Sequence, residues 1–212
     1  ISLNSQIVID SDMVIQGPGA NLLTVQNIAA PGPDSRVFQV NAGVTATIRG
    51  LTITGGNPTD LGGGVYNLGS LTLDQTRVTG NTAVRGGGIR NDGNLTVIES
   101  LISNNIGTYA FGGGGGIGNF GPALTVINST ISGNQVTNGN NNGGGIRSDN
   151  NSTVVITGST ITDNGVVGAA SGGGPRATPE RSTASSPAAR PPRGRATRSC
   201  GRAQGDGGPC GR

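Results

Sequence analysis

The feature that most constrains the fold is a phrase of three glycines and an aliphatic residue that recurs along the chain. It stands complete at Gly62-Gly63-Gly64-Val65, Gly86-Gly87-Gly88-Ile89, Gly114-Gly115-Gly116-Ile117 and Gly143-Gly144-Gly145-Ile146. A fifth phrase begins at Gly172-Gly173-Gly174 and then fails. Self-similarity at a period of about 20–50 residues is typical of solenoids, propellers and arrays. The sequence therefore predicts a small structural unit that stacks on copies of itself.

The residues between the glycine phrases also keep a fixed order. An apolar pair with one residue between its members comes first, followed by a small hydroxyl residue, a single aliphatic residue and an asparagine. The apolar pairs are Leu71/Leu73, Leu95/Val97, Leu124/Val126 and Val154/Ile156; the hydroxyl residues are Thr76, Ser100, Ser129 and Ser159; the aliphatic residues are Val78, Ile102, Ile131 and Ile161; the asparagines are Asn81, Asn105, Asn134 and Asn164. Alternation with a period of two in short runs indicates strands rather than helices.

These patterns predict an all-β fold, a right-handed parallel β-helix of about six coils with three short strands per coil. Aliphatic residues at equivalent positions then form inward columns, and stacked asparagines hydrogen-bond from coil to coil at a corner. We divide the chain into lead-in coils (residues 1–61), regular glycine-rich coils (62–174) and a tail (175–212). The chain opens with a strand and without a signal peptide, so either a leader was removed or the chain is a piece of a longer protein; we expect the latter.

Composition narrows the possible functions. The 41 glycines follow no Gly-X-Y period, and the five aromatic residues are too few for an ordinary globular core. Residues 1–174 hold six Arg and nine acidic residues, a net charge of −3, whereas residues 175–212 hold eight Arg and two acidic residues, a net charge of +6. The basic character of the chain thus comes from its tail, which argues against nucleic acid as a partner of the body.

The tail differs sharply from the repeats. Residues 175–212 contain no Val, Ile, Leu, Phe, Tyr or Trp, and their two cysteines, Cys200 and Cys210, match no zinc or redox motif. Three interpretations stay open: a disordered Arg/Pro/Ala/Ser-rich segment, an arm that binds polyanions, or the product of a shifted reading frame that interrupts the fifth repeat.

Three phrases, GGGVYNLGSLTL, GGGIRNDGNLTV and LTVINSTISGN, resemble the β-helix repeats of bacterial polymorphic outer-membrane and autotransporter-passenger proteins. More distantly they are similar to the pectate-lyase-like superfold. The resemblance covers residues 1–174 and implies a secreted or cell-surface protein, associated with the outer membrane. It also implies a non-catalytic role in adhesion or scaffolding, with a polysaccharide or another cell surface as the partner. A superfold hosts many activities, so the resemblance is more specific for fold than for function.

The alternative is a polysaccharide lyase or glycoside hydrolase on the same fold. Such enzymes need carboxylates facing one bond, and the nearest approach to this in the sequence is Asp74 with Glu99 on neighbouring coils. We predict no catalytic residue, no metal site and no cofactor, since the body also lacks His, Cys and Lys.

The candidate binding residues come from matching positions after two glycine phrases. Arg90 and Arg147 match one another, as do Asp92 and Asp149, so the four are expected to form a charged patch for a ligand or partner. No run of about 20 apolar residues predicts a transmembrane segment. We also expect self-association through the uncapped end of the last intact coil, because an exposed strand edge is a template for pairing.

Overall fold

A computed structural model describes residues 1–108, 113–137, 143–149 and 151–167, together with the backbone of residues 180–184. Within these residues the chain is built from strands and turns, without a helix. Six coils follow one another along the stack, which confirms the predicted parallel solenoid and its number of coils. The right hand of the winding stays a prediction.

The strands of each coil are short, from two to eight residues. One strand, β1 (Ser2–Leu3), precedes the first coil and pairs with β4 of that coil. The first coil has β2 (Ile7–Ile9), β3 (Met13–Gln16) and β4 (Thr24–Asn27); the second has β5 (Phe38–Val40), β6 (Thr45–Arg49) and β7 (Thr52–Thr54); the third has β8 (Val65–Asn67), β9 (Ser70–Asp74), β10 (Arg77–Thr79) and β11 (Thr82–Ala83). The fourth has β12 (Ile89–Asn91), β13 (Asn94–Ile98), β14 (Leu101–Ser103) and β15 (Ile106–Gly107); the fifth has β16 (Ile117–Asn119), β17 (Ala123–Ile127), β18 (Thr130–Ser132) and β19 (Gln135–Val136); the sixth has β20 (Ile146–Ser148), β21 (Thr153–Thr157) and β22 (Ser159–Val166).

Equivalent strands stack into three parallel sheets, which we call faces A, B and C. Face A has the order β2-β5-β8-β12-β16-β20, and face B has the order β3-β6-β9-β13-β17-β21. Face C has the order β1-β4-β7-β10-β14-β18-β22, and the long strand β22 joins it to a short extension, β19-β15-β11. Each coil therefore runs from face A through face B to face C, as three predicted strands per coil require.

The apolar core lies between the three faces. On face C, Val78, Ile102, Ile131 and Ile161 stand in register and are 9% exposed or less. On face B, Leu71, Leu95 and Leu124 are in register and at most 2% exposed; on face A the equivalent column is Phe38, Val65, Ile89 and Ile117. Burying such a side chain stabilises the fold by about 1.5–3 kcal/mol. The predicted inward columns are confirmed.

The predicted asparagine column is also confirmed, at the corner between face C and its extension. The side-chain amide of Asn81 donates to Asn105 Oδ1 (3.0 Å), that of Asn105 to Asn134 Oδ1 (2.9 Å) and that of Asn134 to Asn164 Oδ1 (2.9 Å). The same oxygens accept from the backbone N–H of the preceding asparagine at 3.0–3.1 Å. All four side chains are at most 1% exposed, so each coil supplies the partners that the buried amides of the next coil require.

Two further polar columns line the other corners. Between faces A and B, Asn67 donates to Asn91 Oδ1 and Asn91 to Asn119 Oδ1, both at 2.6 Å. Between faces B and C, the backbone N–H of Thr76, Ser100 and Ser129 donates to the hydroxyl of the next coil at 3.0–3.1 Å, and the last acceptor is Ser159. The sequence marked the hydroxyl residues as a repeat, whereas the second asparagine column was not predicted.

Coil length varies without disturbing this register. Successive asparagines in the first column are 24, 29 and 30 residues apart, yet they remain stacked. Most of the extra residues fall between β15 and β16 and between β19 and β20, and the rest lengthen the turns between β16 and β17 and between β20 and β21.

The predicted tail lies outside the described residues except for the backbone of β23 (Glu180–Ala184), which pairs antiparallel with β22. The interpretations of that tail stay predictions.

Candidate binding site

The outward side of face A brings the candidate arginines into one column. Register pairs align Gln39, Tyr66, Arg90, Gly118 and Arg147 on successive coils. Alternate residues of a strand point to the same side of the sheet, and the glycine leaves a gap between the two arginines. Two unscreened guanidinium groups stacked on adjacent coils would repel one another; here a whole coil separates them.

The ring of Phe120 fills that gap. Phe120 follows Gly118 by two residues. A Cβ atom added to Gly118 would lie 3.4 Å from the Cε2 atom of the Phe120 ring and 3.3 Å from the backbone nitrogen of Gly86, so the ring and the Gly86 backbone both lie close to this glycine. The Cζ atom of Arg90 lies 3.6 Å from the ring centroid and that of Arg147 lies 4.9 Å from it. Each guanidinium is thus attracted to the ring quadrupole, by about 0.5–2 kcal/mol depending on its exposure to water.

Each arginine also pairs with the carboxylate two residues further on. Arg90 Nε lies 2.5 Å from Asp92 Oδ1, and Arg147 Nη1 lies 2.8 Å from Asp149 Oδ1. The first pair is the more buried, with side chains 10% and 24% exposed against 26% and 42% for the second. Water screens the second pair more strongly, so it contributes less to stability and stays accessible to a ligand.

Tyr66 extends the contacts to the coil below. Its hydroxyl donates a 2.9 Å hydrogen bond to Asp92 Oδ2. Burial raises the pKa of Tyr66 above its usual value, and the hydrogen bond to Asp92 and the charge of that carboxylate raise it further, while Arg90 and Arg36 act in the opposite direction. The phenol is therefore held in its neutral, donating form.

Arg36 continues the contacts to the second coil. Its Cζ atom lies 5.2 Å from the centroid of Tyr66, its Nη2 atom lies 2.6 Å from Asp60 Oδ1, and its Nη1 atom donates to Gln39 Oε1 at 2.6 Å. A continuous series of contacts therefore crosses five coils. We call it the arginine–aromatic ladder, and it comprises Arg36, Tyr66, Arg90, Asp92, Phe120, Arg147 and Asp149.

The upper end of the ladder is the part that a ligand can reach. Arg147 and Asp149 border a shallow open depression, which Phe120, Gly121, Pro122, Asn151 and Ser152 also line. Arg147 supplies planar hydrogen-bond donors and Asp149 supplies acceptors, a combination that suits hydroxyl and carboxylate groups. Lower down, the ring of Phe120 and the carboxylate of Asp92 cover Arg90, so this arginine connects neighbouring coils and does not face a ligand.

The structure brings all four candidate residues into the ladder, and sequence reasoning missed three of its other members. Arg36, Tyr66 and Phe120 were not predicted as site residues because no identical residue stands at the equivalent position of another coil. One signal was present in the sequence. The glycine at position 118 occupies the column position that holds arginine in the coils on either side, and the aromatic Phe120 follows it by two residues.

The carboxylates of the enzyme alternative lie elsewhere, at the corner between faces B and C. Asp74 is paired in register with Arg49 and Ile98 on the neighbouring coils, while Glu99 accepts a 3.0 Å hydrogen bond from Gln75. Gln75 and Glu99 both have the left-handed backbone conformation, with φ of 49° and 45°. They serve as corner residues there, and their side chains are exposed to solvent.

Among the described residues there is no group of three or more His, Cys, Asp or Glu side chains close enough to hold a metal ion. The described part of the chain also contains no helix long and apolar enough to cross a membrane. Comparison of the chain with protein-family models, curated proteins and solved structures found no match.

Proposed function

We propose that this chain is a non-catalytic repeat protein of the cell surface or extracellular space, which serves adhesion or scaffolding. The observation that carries the proposal is the continuous stack of six coils, in which three inner polar columns join the third to the sixth coils and one outer ladder spans the second to the sixth. Six coils at a strand spacing of about 4.8 Å give side faces roughly 25–30 Å long. Extended faces of this kind are what solenoid proteins use to bind large partners.

The proposed partner is a polysaccharide or the glycan surface of another cell. The upper end of the arginine–aromatic ladder offers a charged guanidinium, a carboxylate and the polar side chains of Asn151 and Ser152 around an open depression. Sugars present hydroxyl groups, and acidic sugars add a carboxylate that arginine binds through two hydrogen bonds. A ligand spread over an open surface fits this geometry better than a small molecule that needs an enclosed pocket.

The resemblance of residues 1–174 to polymorphic outer-membrane and autotransporter-passenger proteins supports the same proposal. It favours a bacterial, secreted protein at the outer membrane. The enzyme alternative, a polysaccharide lyase or hydrolase, rests on the more distant likeness to the pectate-lyase-like superfold. Its best candidates in this chain are Asp74 and Glu99.

The test uses immobilised polysaccharides, uronate-rich and neutral, with binding and cleavage followed on the same samples. We expect binding of at least one uronate-rich polymer, weakened roughly tenfold by Arg147→Ala because charge-assisted hydrogen bonds are lost. Arg77→Ala on face C is the matched control and should bind as the parent does.

Two outcomes would count against the proposal. New reducing ends or unsaturated-uronate absorbance would favour the enzyme alternative, and Asp74→Asn and Glu99→Gln would then be examined. If the parent and Arg147→Ala bound the polysaccharide with equal affinity, the upper end of the ladder would not be part of the binding site.

A further inference from the structure

Another depression opens on the side of the stack, at the corner between faces B and C. It has a volume of about 320 Å³, and it is lined by residues 16–19 of the first coil, Arg49 and Gly50 of the second, and Asp74 and Gln75 of the third. Each coil runs from face A through face B to face C, so this corner is the one that face A does not touch. The depression is therefore separate from the arginine–aromatic ladder.

The turns of the first two coils meet here through their backbones. A Cβ atom added to Gly17 would lie 2.3 Å from the carbonyl oxygen of Gly50, and one added to Gly50 would lie 2.7 Å from that of Gly17. The backbone N–H of Gly19 donates to the same Gly50 oxygen at 2.8 Å. Glycine is required for so close an approach. Because these glycines bring no side chains, the space between Arg49 and Asp74 stays open.

Arg49 and Asp74 are register partners on adjacent strands, and they carry opposite charges. Such neighbours attract one another, yet over the ranges that the structure describes they form no ion pair. Arg49 instead donates through Nη2 to Gln16 Oε1, on the coil below, at 2.5 Å. The carboxylate of Asp74 is partly exposed and accepts no hydrogen bond from the described residues. Donors on one side of the depression and acceptors on the other are therefore available to a ligand.

A second carboxylate decides which ligand suits this depression. Gln75 Nε2 donates to Glu99 Oε2 at 3.0 Å, which places Glu99 beside the lining residues. One guanidinium thus faces two carboxylates, so an anionic group is repelled. Hydroxyl groups carry no charge and both donate and accept, so they can pair with Asp74 and with Arg49 at the same time.

We propose that this depression, which we call the corner site, binds a sugar unit of a neutral polysaccharide. The two oxygens of Asp74 accept hydrogen bonds from neighbouring hydroxyl groups of the sugar, and the guanidinium of Arg49 donates to a further sugar oxygen. The corner site goes beyond the function proposed for the ladder, because it lies on another surface and selects polymers without acidic groups.

Affinity electrophoresis of the 212-residue chain in gels that contain dextran, laminarin or hydroxyethyl cellulose tests the corner site. We expect at least one of these neutral polymers to retard the parent. Asp74→Asn should weaken that binding about tenfold, because it removes the charge and one of the two acceptor oxygens. Arg49→Gln should weaken it to a similar extent. Asp163→Asn, at an exposed turn residue of the sixth coil, is the matched control and should bind as the parent does.

Gels that contain polygalacturonate separate the corner site from the ladder. Asp74→Asn should bind this acidic polymer as the parent does, and its circular dichroism should match that of the parent. If none of the neutral polymers retarded the parent, or if Asp74→Asn and Arg49→Gln bound them with the affinity of the parent, the corner site would be refuted whether or not the ladder binds polygalacturonate. Equal weakening of neutral and acidic binding by Asp74→Asn would also refute it, because the two sites would then not be separate.

Discussion

The inner polar columns and the arginine–aromatic ladder both join coils, but they are built on opposite rules. Inside the stack, identical residues meet: asparagine donates to asparagine and serine to serine, coil after coil. On face A, unlike residues meet, with the ring of Phe120 between two arginines and each arginine beside a carboxylate. The inner columns pair their buried amides and hydroxyls, whereas Arg36 Nε and Arg90 Nη1 of the ladder are buried without a hydrogen-bond partner in the described part of the structure. The two arrangements also differ in charge.

A neutral amide carries a donor and an acceptor, so copies of it form an endless chain without repulsion. A guanidinium carries donors alone and a full charge, so two copies at the spacing of adjacent coils repel. A repeat can therefore be copied unchanged where the column is neutral and buried, whereas a charged outer column has to alternate with carboxylates and rings. The inner columns are expected to determine stability and the outer ladder to provide a surface for recognition.

The largest expected effect comes from a charge placed inside the stack. Ile131→Asp buries an unpaired carboxylate in the inward column of face C and should lower the free energy of unfolding by about 3–5 kcal/mol. Ser132→Asp, on the outward side of the same strand, is the control and should change it by about 0.5 kcal/mol or less. Denaturant unfolding followed by circular dichroism measures both. Equal effects of the two substitutions would mean that the inward assignment of this strand is wrong.

Removal of one inner amide should have the next largest effect. Asn134→Ala deletes the donor to Asn164 Oδ1 and the acceptor for Asn105, and it leaves buried groups on both neighbouring coils unsatisfied. We expect a loss of about 3 kcal/mol. Asn94→Ala, at an exposed position of β13, should cost about 0.5 kcal/mol or less. An Asn134→Ala protein as stable as the control would show that the column contributes nothing.

A change in the outer ladder should cost less. Phe120→Leu keeps an apolar side chain between the arginines but removes the ring quadrupole, so we expect a loss of about 1 kcal/mol in the same unfolding assay. Leucine has no ring to hold Arg90 and Arg147 on either side. If Phe120→Leu lowered the free energy of unfolding by more than Asn134→Ala does, the ladder would contribute more to stability than the inner columns.

The smallest effect should appear only in alkaline solution. The pKa of Tyr66 is raised above 10.0 in the folded protein, so the unfolded chain releases the phenolic proton at lower pH than the folded chain does. The contribution of Tyr66 to stability is therefore complete below about pH 10 and is lost as the pH rises through the folded pKa. Unfolding measured from pH 8 to 11 should show a steeper decline for the parent than for Tyr66→Phe. Identical slopes would mean that neither burial nor the hydrogen bond to Asp92 raises the pKa of Tyr66 in the folded protein.

The sequence predicted the first asparagine column because identical residues at equivalent positions of the repeat are visible without coordinates. The column of Asn67, Asn91 and Asn119 obeys the same rule, and each of these residues stands three positions after the last glycine of its phrase. This second column was not predicted, although the repeated asparagine is visible in the sequence. Val154 and Ile156 were assigned to inward columns correctly, but their exposure depends on where the stack ends rather than on the repeat.

The arginine–aromatic ladder was predictable only in part. Matching positions placed Arg90 near Arg147 and each near an aspartate. The part played by Phe120 depends on a missing side chain at Gly118, and that of Arg36 on a turn of the second coil that belongs to no repeat. Contacts between unlike residues leave no periodic trace, so three-dimensional positions were needed to find them.

Hydrogen–deuterium exchange at the backbone amides of Asn105 and Asn134 tests the central claim most directly, which is that neutral inner columns join the coils into a stiff rod. These N–H groups donate to side-chain oxygens of the next coil at 3.0 Å and are fully buried. We expect them to exchange as slowly as the amides of Ile102 and Ile131 in the adjacent strands, through global unfolding alone. Exchange as fast as that of exposed turn amides would contradict the account, because the columns would then not hold the stack together.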